Sequence, residues 1–400
     1  MKLYNKKLSN GLKIIFEKRN LPIVSFAIAV KRGGIHETSS ERGISHLIEH
    51  MLYKGTKKRN SKQIAEEIEK RGGILNGFTD ETLTAYWCKL QNKHLEIAFD
   101  ILSDMIKNPL FDKIELEKEK KVIIEEIKMY KNDPMSYVNL KIQECLYKKP
   151  FSIPLIGTEK ILKDITREKL IKEHQNSYQP RNMFLCVVGG ADFNEIVRLA
   201  KKYFLIENKK TRIKKYIPII KNTEEKEKRK DLDQAHLILG YHTKKLQEKG
   251  SYASYILSYL MAGGISSRLF QEIREKRNLA YAITHHTELR KDYAYSTIYA
   301  GIKKNSIEEV KKLILDEFEK ISKDLGEEEF NKIKEQVIGN NYILKEDSLS
   351  RMIEILYDEA NDNLKKENFE ENIRKIKIDD VKNLAKSVLK KHSLFVLSPN

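Results

Sequence analysis

With 400 residues, 40% of them hydrophobic and 33% charged, the chain is long enough for two ordinary cores and too apolar to be disordered. Its 75 Lys and Arg outnumber 58 Asp and Glu for a formal net charge of +17, but no basic block interleaved with aromatics and no zinc-finger pattern accompanies the excess, so nucleic acid is not an expected partner. Three widely spaced cysteines (Cys88, Cys145, Cys186) exclude a disulfide framework, no apolar leader follows Met1, and no run reaches the ~18 apolar residues of a membrane span, so a cytoplasmic setting away from membranes is expected.

Asn10-Gly11 predicts a hairpin turn between strands at Leu3–Leu8 and Leu12–Glu17. Val24–Val30 reads as a buried strand ended by Gly33-Gly34. Helices are expected at Ser39–Lys54 and at Ser61–Arg71, where Ser61 would cap. Leu75–Leu90 holds two strand-like runs split by Asp80-Glu81. Amphipathic helices follow at Lys93–Ile106 and Asp112–Tyr130, with more helix to about Ser177 and a strand at Met183–Val188. Residues 208–232, rich in Lys, Arg and Glu, lack a sustained apolar period and read as a linker.

Beyond the linker the pattern restarts. Ala235–Tyr241 is a strand, Ser251–Met261 and Ser266–Lys276 are helices, and Tyr281–Thr284 and Tyr293–Ala300 are strands. Long helices at Ile307–Leu325 and Glu327–Leu344 and a closing strand at Ser393–Leu397 complete it. Glu67–Arg71 in the first half rhymes with Glu272–Arg277 in the second, which suggests an internal duplication. The expected class is α+β: two homologous domains, 1–207 and 233–400, each a mainly antiparallel sheet covered by helices on one side.

The chemistry concentrates at His46, Glu49 and His50. On a helix, positions i, i+3 and i+4 share a face, so two imidazoles one turn apart can reach one zinc ion with a carboxylate beside them. Zinc lowers the pKa of a water, and that carboxylate can take its proton. The order His-x-x-Glu-His inverts the common zinc-helix motif. A catalytic site needs a third protein ligand, and the helix Asp112–Tyr130 offers Glu115, Glu117, Glu119, Glu125 and Glu126. Glu119 and Glu126 lie seven residues apart on one face, so one could bind metal while the other orients a histidine. His242, His285 and His286 have no ligand partners at a suitable spacing; Asp133-Pro134 reads as a helix end, and Tyr86 and Trp87 as core.

The run His46-Leu47-Ile48-Glu49-His50-Met51-Leu52-Tyr53-Lys54-Gly55-Thr56 resembles the zinc helix of the pitrilysin family, which includes insulin-degrading enzymes and mitochondrial processing peptidases. The resemblance continues through Gly72–Glu81, Glu119–Ile127, Pro154–Thr158 and Tyr178–Met183, and in the second half through Gly263–Gln271, Arg274 and Leu279–Tyr281. It implies zinc, one ion per chain, held by His46, His50 and Glu126, with Glu49 as the base and Glu119 as the carboxylate behind a histidine. It further implies that Asn76, Gly77, Phe78 and Thr79 form an edge strand along which an extended peptide lies, recognised through its main chain. Arg274 and Tyr281 resemble the pair that contacts substrate and stabilises the oxyanion. Two residues depart from the family pattern: Tyr53 stands where Phe is usual, and Gly77 where Ala is usual, both in packing or strand positions.

The short members of the family need a partner to close a chamber. This chain carries both the zinc motif and Arg274 with Tyr281, so the resemblance implies a homodimer in which the second domain of one copy completes the zinc site of the other. The expected function is a zinc-dependent endopeptidase acting on peptides or unfolded segments. The rival readings are a non-catalytic or partner-requiring subunit of the same fold and, from another class, a basic nucleic-acid-binding protein.

Overall fold

Period-two apolar runs in each half of the sequence build two separate sheets. The structure, a computed structural model, describes residues 3–207, 209, 213–362 and 369–400. The first sheet comprises β1 (Leu3–Lys7), β2 (Lys13–Lys18), β3 (Ile23–Val30), β4 (Ile74–Thr79), β5 (Thr84–Gln91) and β6 (Met183–Gly189). The second comprises β7 (Glu224–Arg229), β8 (Ala235–His242), β9 (Ala280–Leu289), β10 (Ala294–Ile302) and β11 (Ser393–Pro399). The spatial orders are β1-β2-β6-β3-β5-β4 and β7-β11-β8-β10-β9. Without β1, the two orders are the same permutation. Each contains one parallel pair at the same place, β2 with β6 and β7 with β11, and is otherwise antiparallel. The repeated topology is the structural counterpart of the rhyme between Glu67–Arg71 and Glu272–Arg277, each of which directly precedes the edge strand of its sheet.

The first-half helices that matter for the site are α1 (Ile44–Leu52), α2 (Ser61–Glu69), α3 (Leu95–Lys107), α4 (Lys113–Asn132) and α5 (Pro134–Leu146). By contact, one unit is Met1–Ile127, Ile153–Tyr216 and Leu344–Leu364, and the other is Lys128–Ser152, Ile217–Ile343 and Lys365–Asn400. The halves of the sequence therefore exchange a segment. Helix Ser348–Ala360 packs on the first sheet, where Met352, Ile355 and Leu356 join Ala27, Ala85 and Cys186 in one core cluster. Helix α5 packs on β8 and β11 of the second sheet. In the first unit α3 covers the opposite face, with Phe99 stacked on Phe26 at 4.3 Å, so helices cover both faces of this sheet rather than one. A strand such as β3, buried along most of its length, needs cover on both sides.

Several local expectations differ from the structure for identifiable reasons. The first helix begins at Ile44, not Ser39, because Gly43 sits at φ +97° and breaks helical continuity. Part of the stretch read as linker, Glu224–Arg229, forms β7; residues 208 and 210–212 of that stretch lie outside the described residues. The charged β7 sequence has a partly exposed edge alternation rather than an apolar one. Asp133-Pro134 opens α5: the Asp133 carboxylate accepts from the Ser136 N–H at 2.8 Å and Pro134 occupies the first turn. All three cysteines are free and buried. No helix among the described residues is long and apolar enough to cross a membrane.

Candidate active site

The zinc-type helix α1 is fixed at its start by charge. Glu37, wholly buried, accepts the Gly43 N–H at 2.9 Å and the Ser45 N–H at 2.8 Å, so a carboxylate caps the positive end of the helix. Beside it Arg42, with no exposed surface, forks onto Glu81: Nη1 donates to Oε2 at 2.9 Å and Nη2 to Oε1, while Nε donates to the Ile153 carbonyl at 2.9 Å. A Cβ on Gly43 would come within 2.7 Å of the Ile156 carbonyl, so the Pro154–Thr158 segment is packed backbone against backbone on the helix entry.

Leu47, Ile48, Met51 and Leu52 turn into the core and leave His46, Glu49 and His50 on the other face. Helix α4 crosses that face with Glu119 buried and Glu126 half-buried. His46 Nε2 lies 4.0 Å and His50 Nε2 3.8 Å from Glu126 Oε2, and one ligand atom from each of the three residues falls within 4.8 Å of the others. Tetrahedral zinc with bonds of about 2.0–2.1 Å needs ligand atoms about 3.3–3.4 Å apart, so each histidine would close on Glu126 by about half an ångström and the widest pair of the set by up to about 1.4 Å. The donors, two imidazoles and a carboxylate, suit zinc, which leaves a fourth position for water or substrate.

Glu119 makes different contacts from Glu126. Its Oε2 is 3.1 Å from His50 Nδ1 and its Oε1 2.7 Å from Lys54 Nζ. Burial works against its charge, but the hydrogen bonds from His50 and Lys54 prevail and hold the carboxyl below the usual range. A carboxylate at Nδ1 fixes the tautomer that leaves Nε2 free to ligate. Burial, with His50 adding to it, depresses the pKa of His46 to about 3, so its imidazole is neutral and binds metal without losing a proton. Replacing Glu119 with Gln is expected to weaken zinc affinity about 10- to 100-fold, measurable by competition with a fluorescent chelator. Unchanged affinity would show that Lys54 and packing orient His50 without it.

Glu49 lies next to the metal set, 8% exposed. Burial raises its pKa; the Thr79 hydroxyl, donating to Oε2 at 2.6 Å, and His50 pull the other way. Thr79 thus anchors the carboxylate from the end of β4. Among the described residues that strand is the open edge of its sheet, hydrogen-bonded to β5 alone, and it also carries Asn76, Gly77 and Phe78. Phe78 turns toward Tyr357 (centroids 6.1 Å apart), and Asn76 Oδ1 accepts from the Gly77 N–H. Tyr53 and Gly77, the two departures from the family pattern, touch: a Cβ at 77 would lie 2.7 Å from the Tyr53 hydroxyl and 3.2 Å from Glu49 Oε1. The larger side chain at 53 occupies the room that the smaller one at 77 leaves. Sequence reasoning missed Glu37, Arg42, Glu81 and Lys54; only Lys54, one turn beyond His50, stood where helical spacing could have drawn attention to it.

Arg274 and Tyr281 belong to the second unit. Arg274 lies on a π-helical turn, Phe270–Glu275, with its guanidinium 4.7 Å from the Phe270 ring centre; Tyr281 is the second residue of β9, 44% exposed.

Residues 13–159 match the model of the family described as Insulinase (Peptidase family M16), and residues 164–337 that of the Peptidase M16 inactive domain. An uncharacterized zinc protease of Rickettsia felis is 33% identical over 391 residues, covering 96% of this chain and 94% of that one. The uncharacterized zinc protease YmxG of Bacillus subtilis is 31% identical, covering 86% and 84%. Among solved structures, a protease from Helicobacter pylori superposes with a TM-score of 0.92 at 22% identity over the full length of both chains, and a peptidase M16 inactive domain from Pseudomonas fluorescens with 0.89 at 18%, covering 100% and 98%. At those identities the two structures speak for the fold.

Proposed function

The chain belongs to the insulinase family of peptidases, M16, and from that premise we propose that it is a zinc-dependent endopeptidase acting on peptides and unfolded segments. The observation that supports this most is the convergence of His46, His50 and Glu126 within 4.8 Å with the buried carboxylate of Glu49 beside them. Zinc held by that set would polarise the scissile carbonyl and acidify the attacking water. Glu49, held by Thr79, takes the proton from that water and passes it to the departing amine. The edge of β4 takes the substrate as an added strand, which selects for extended main chain rather than for side chains. Arg274 and Tyr281 donate to the oxyanion.

The reading includes a homodimer, since one chain carries both the metal set and Arg274 with Tyr281, and a cytoplasmic location, to which the three free cysteines are suited. The test is metal removal. The purified chain is expected to cleave an unfolded peptide mixture, to lose that activity on dialysis against a chelator, and to regain it with one equivalent of zinc per chain. A chain that takes up no stoichiometric metal from an excess overturns the site; a zinc-loaded chain that cleaves nothing overturns the endopeptidase reading for the chain acting alone.

A further inference from the structure

We propose that Tyr299 and His236 are positioning residues that aim the Tyr281 hydroxyl through a directed row of hydrogen bonds, leaving the Tyr281 proton free for an oxygen of the bound peptide. The inference rests on the reading of Tyr281 as an oxyanion donor.

The register of β9 supplies the first observation. Gly301 pairs with Ala282 and Ile302 with Ala280, so Tyr281 is an extra residue, bulged out of the ladder. A bulge re-aims a side chain that regular alternation would send elsewhere. The second observation is the space made for the ring. A Cβ on Gly301 would lie 2.3 Å from Tyr281 Cζ and 2.4 Å from its hydroxyl, so the ring rests directly on the β10 backbone and only glycine admits it. Bulge and glycine lie on different strands and serve the same placement.

The third observation is what meets the hydroxyl. Tyr299, 4% exposed, hydrogen-bonds Tyr281 and lies with its hydroxyl 2.8 Å from Nδ1 of His236, itself 7% exposed. Burial raises the pKa of Tyr299, and its hydrogen bond to Tyr281 adds to this, so the phenol stays neutral and keeps its proton, which the proposed row gives to Tyr281. A phenol has one proton. With that proton given to the Tyr281 oxygen, the His236 contact requires Nδ1–H as donor. Burial first, then Arg229, lower the pKa of His236, while Asp133 opposes them, which favours a neutral ring able to carry its proton on Nδ1. The row runs His236 Nδ1–H to Tyr299, Tyr299 O–H to Tyr281, and Tyr281 O–H outward from the buried end to the exposed end. Each bond polarises the next, and the acceptor side of Tyr281 is already filled, so its proton points to solvent or substrate.

The test compares Tyr299→Phe, Tyr281→Phe and the double variant in the zinc-loaded full chain. Tyr299→Phe is expected to lower kcat for peptide cleavage about tenfold with KM little changed, and to cost nothing further once Tyr281 is Phe. An equal loss in both backgrounds, or a change in KM alone, overturns the proposal. Nitrogen-15 NMR of His236 gives a readout independent of activity: Nδ1–H in the wild type supports the row, and Nε2–H overturns it. Should the wild type cleave nothing, the peptidase reading fails and the His236 tautomer alone decides the row.

Discussion

Glu49→Gln is expected to lower kcat for peptide cleavage by about a hundred- to ten-thousand-fold while leaving one zinc per chain in place. The two halves of that expectation have different sources. His46, His50 and Glu126 are untouched by the exchange, and Gln keeps the size of Glu and an oxygen that can still accept from the Thr79 hydroxyl at 2.6 Å. What it loses is the ability to hold a proton between its removal from water and its delivery to the amine. Burial makes the position more sensitive, because a group 8% exposed is not readily replaced by bulk solvent in that task. Zinc content by atomic emission and kcat on a quenched peptide decide the matter. Activity within tenfold of wild type would remove Glu49 from the proton path, and loss of zinc would make its role structural.

Glu81→Ala is expected to destabilise the first unit by about 3–5 kcal/mol and to release zinc at denaturant concentrations the wild type tolerates. The Arg42 guanidinium has no exposed surface and two of its nitrogens end on Glu81, so removing the carboxylate strands a charge in the interior. That charge lies one residue before Gly43, whose N–H is bonded by Glu37, so relaxation would travel directly into the start of α1 and on to His46. The double variant Arg42→Met, Glu81→Met removes both charges, and recovery of part of the loss is expected. Equal stability of wild type and Glu81→Ala in urea unfolding followed by tyrosine fluorescence and zinc release would show that the pair contributes nothing net.

The site was legible where it is local. Three residues within one helical turn declare their shared face through spacing alone, so His46, Glu49 and His50 could be read directly. Glu126 could not: α4 carries five glutamates, and spacing left Glu119 and Glu126 interchangeable until the resemblance separated them. Their contacts in the structure differ in a way no pattern contains, Lys54 and His50 on Glu119 against both Nε2 atoms facing Glu126. In the fold, apolar strands such as β3 and β8 were readable, whereas β7 was not, because Glu, Lys and Arg on an exposed edge carry no burial signal. The polar alternation of His285, His286 and Thr287 likewise concealed the second half of β9. The helix entry was misplaced by five residues because its cap, Glu37, reaches it from a preceding loop.

The exchange of helices between the halves bears on how the chain comes to be folded as it leaves the ribosome. Residues 1–216 emerge complete with β1 to β6, yet the face of that sheet built from Ala27, Ala85 and Cys186 stays bare until Met352, Ile355 and Leu356 have been synthesised. Helix α5 meanwhile emerges early and has no sheet to rest on until β8 and, about 150 residues later, β11 arrive. Neither half can finish on its own schedule, so the nascent polypeptide carries an uncovered apolar surface while the second sheet is being synthesised and is a natural client for holding chaperones. Cutting the chain between the sheets would yield not two domains but two fragments, each lacking the helix that the other holds.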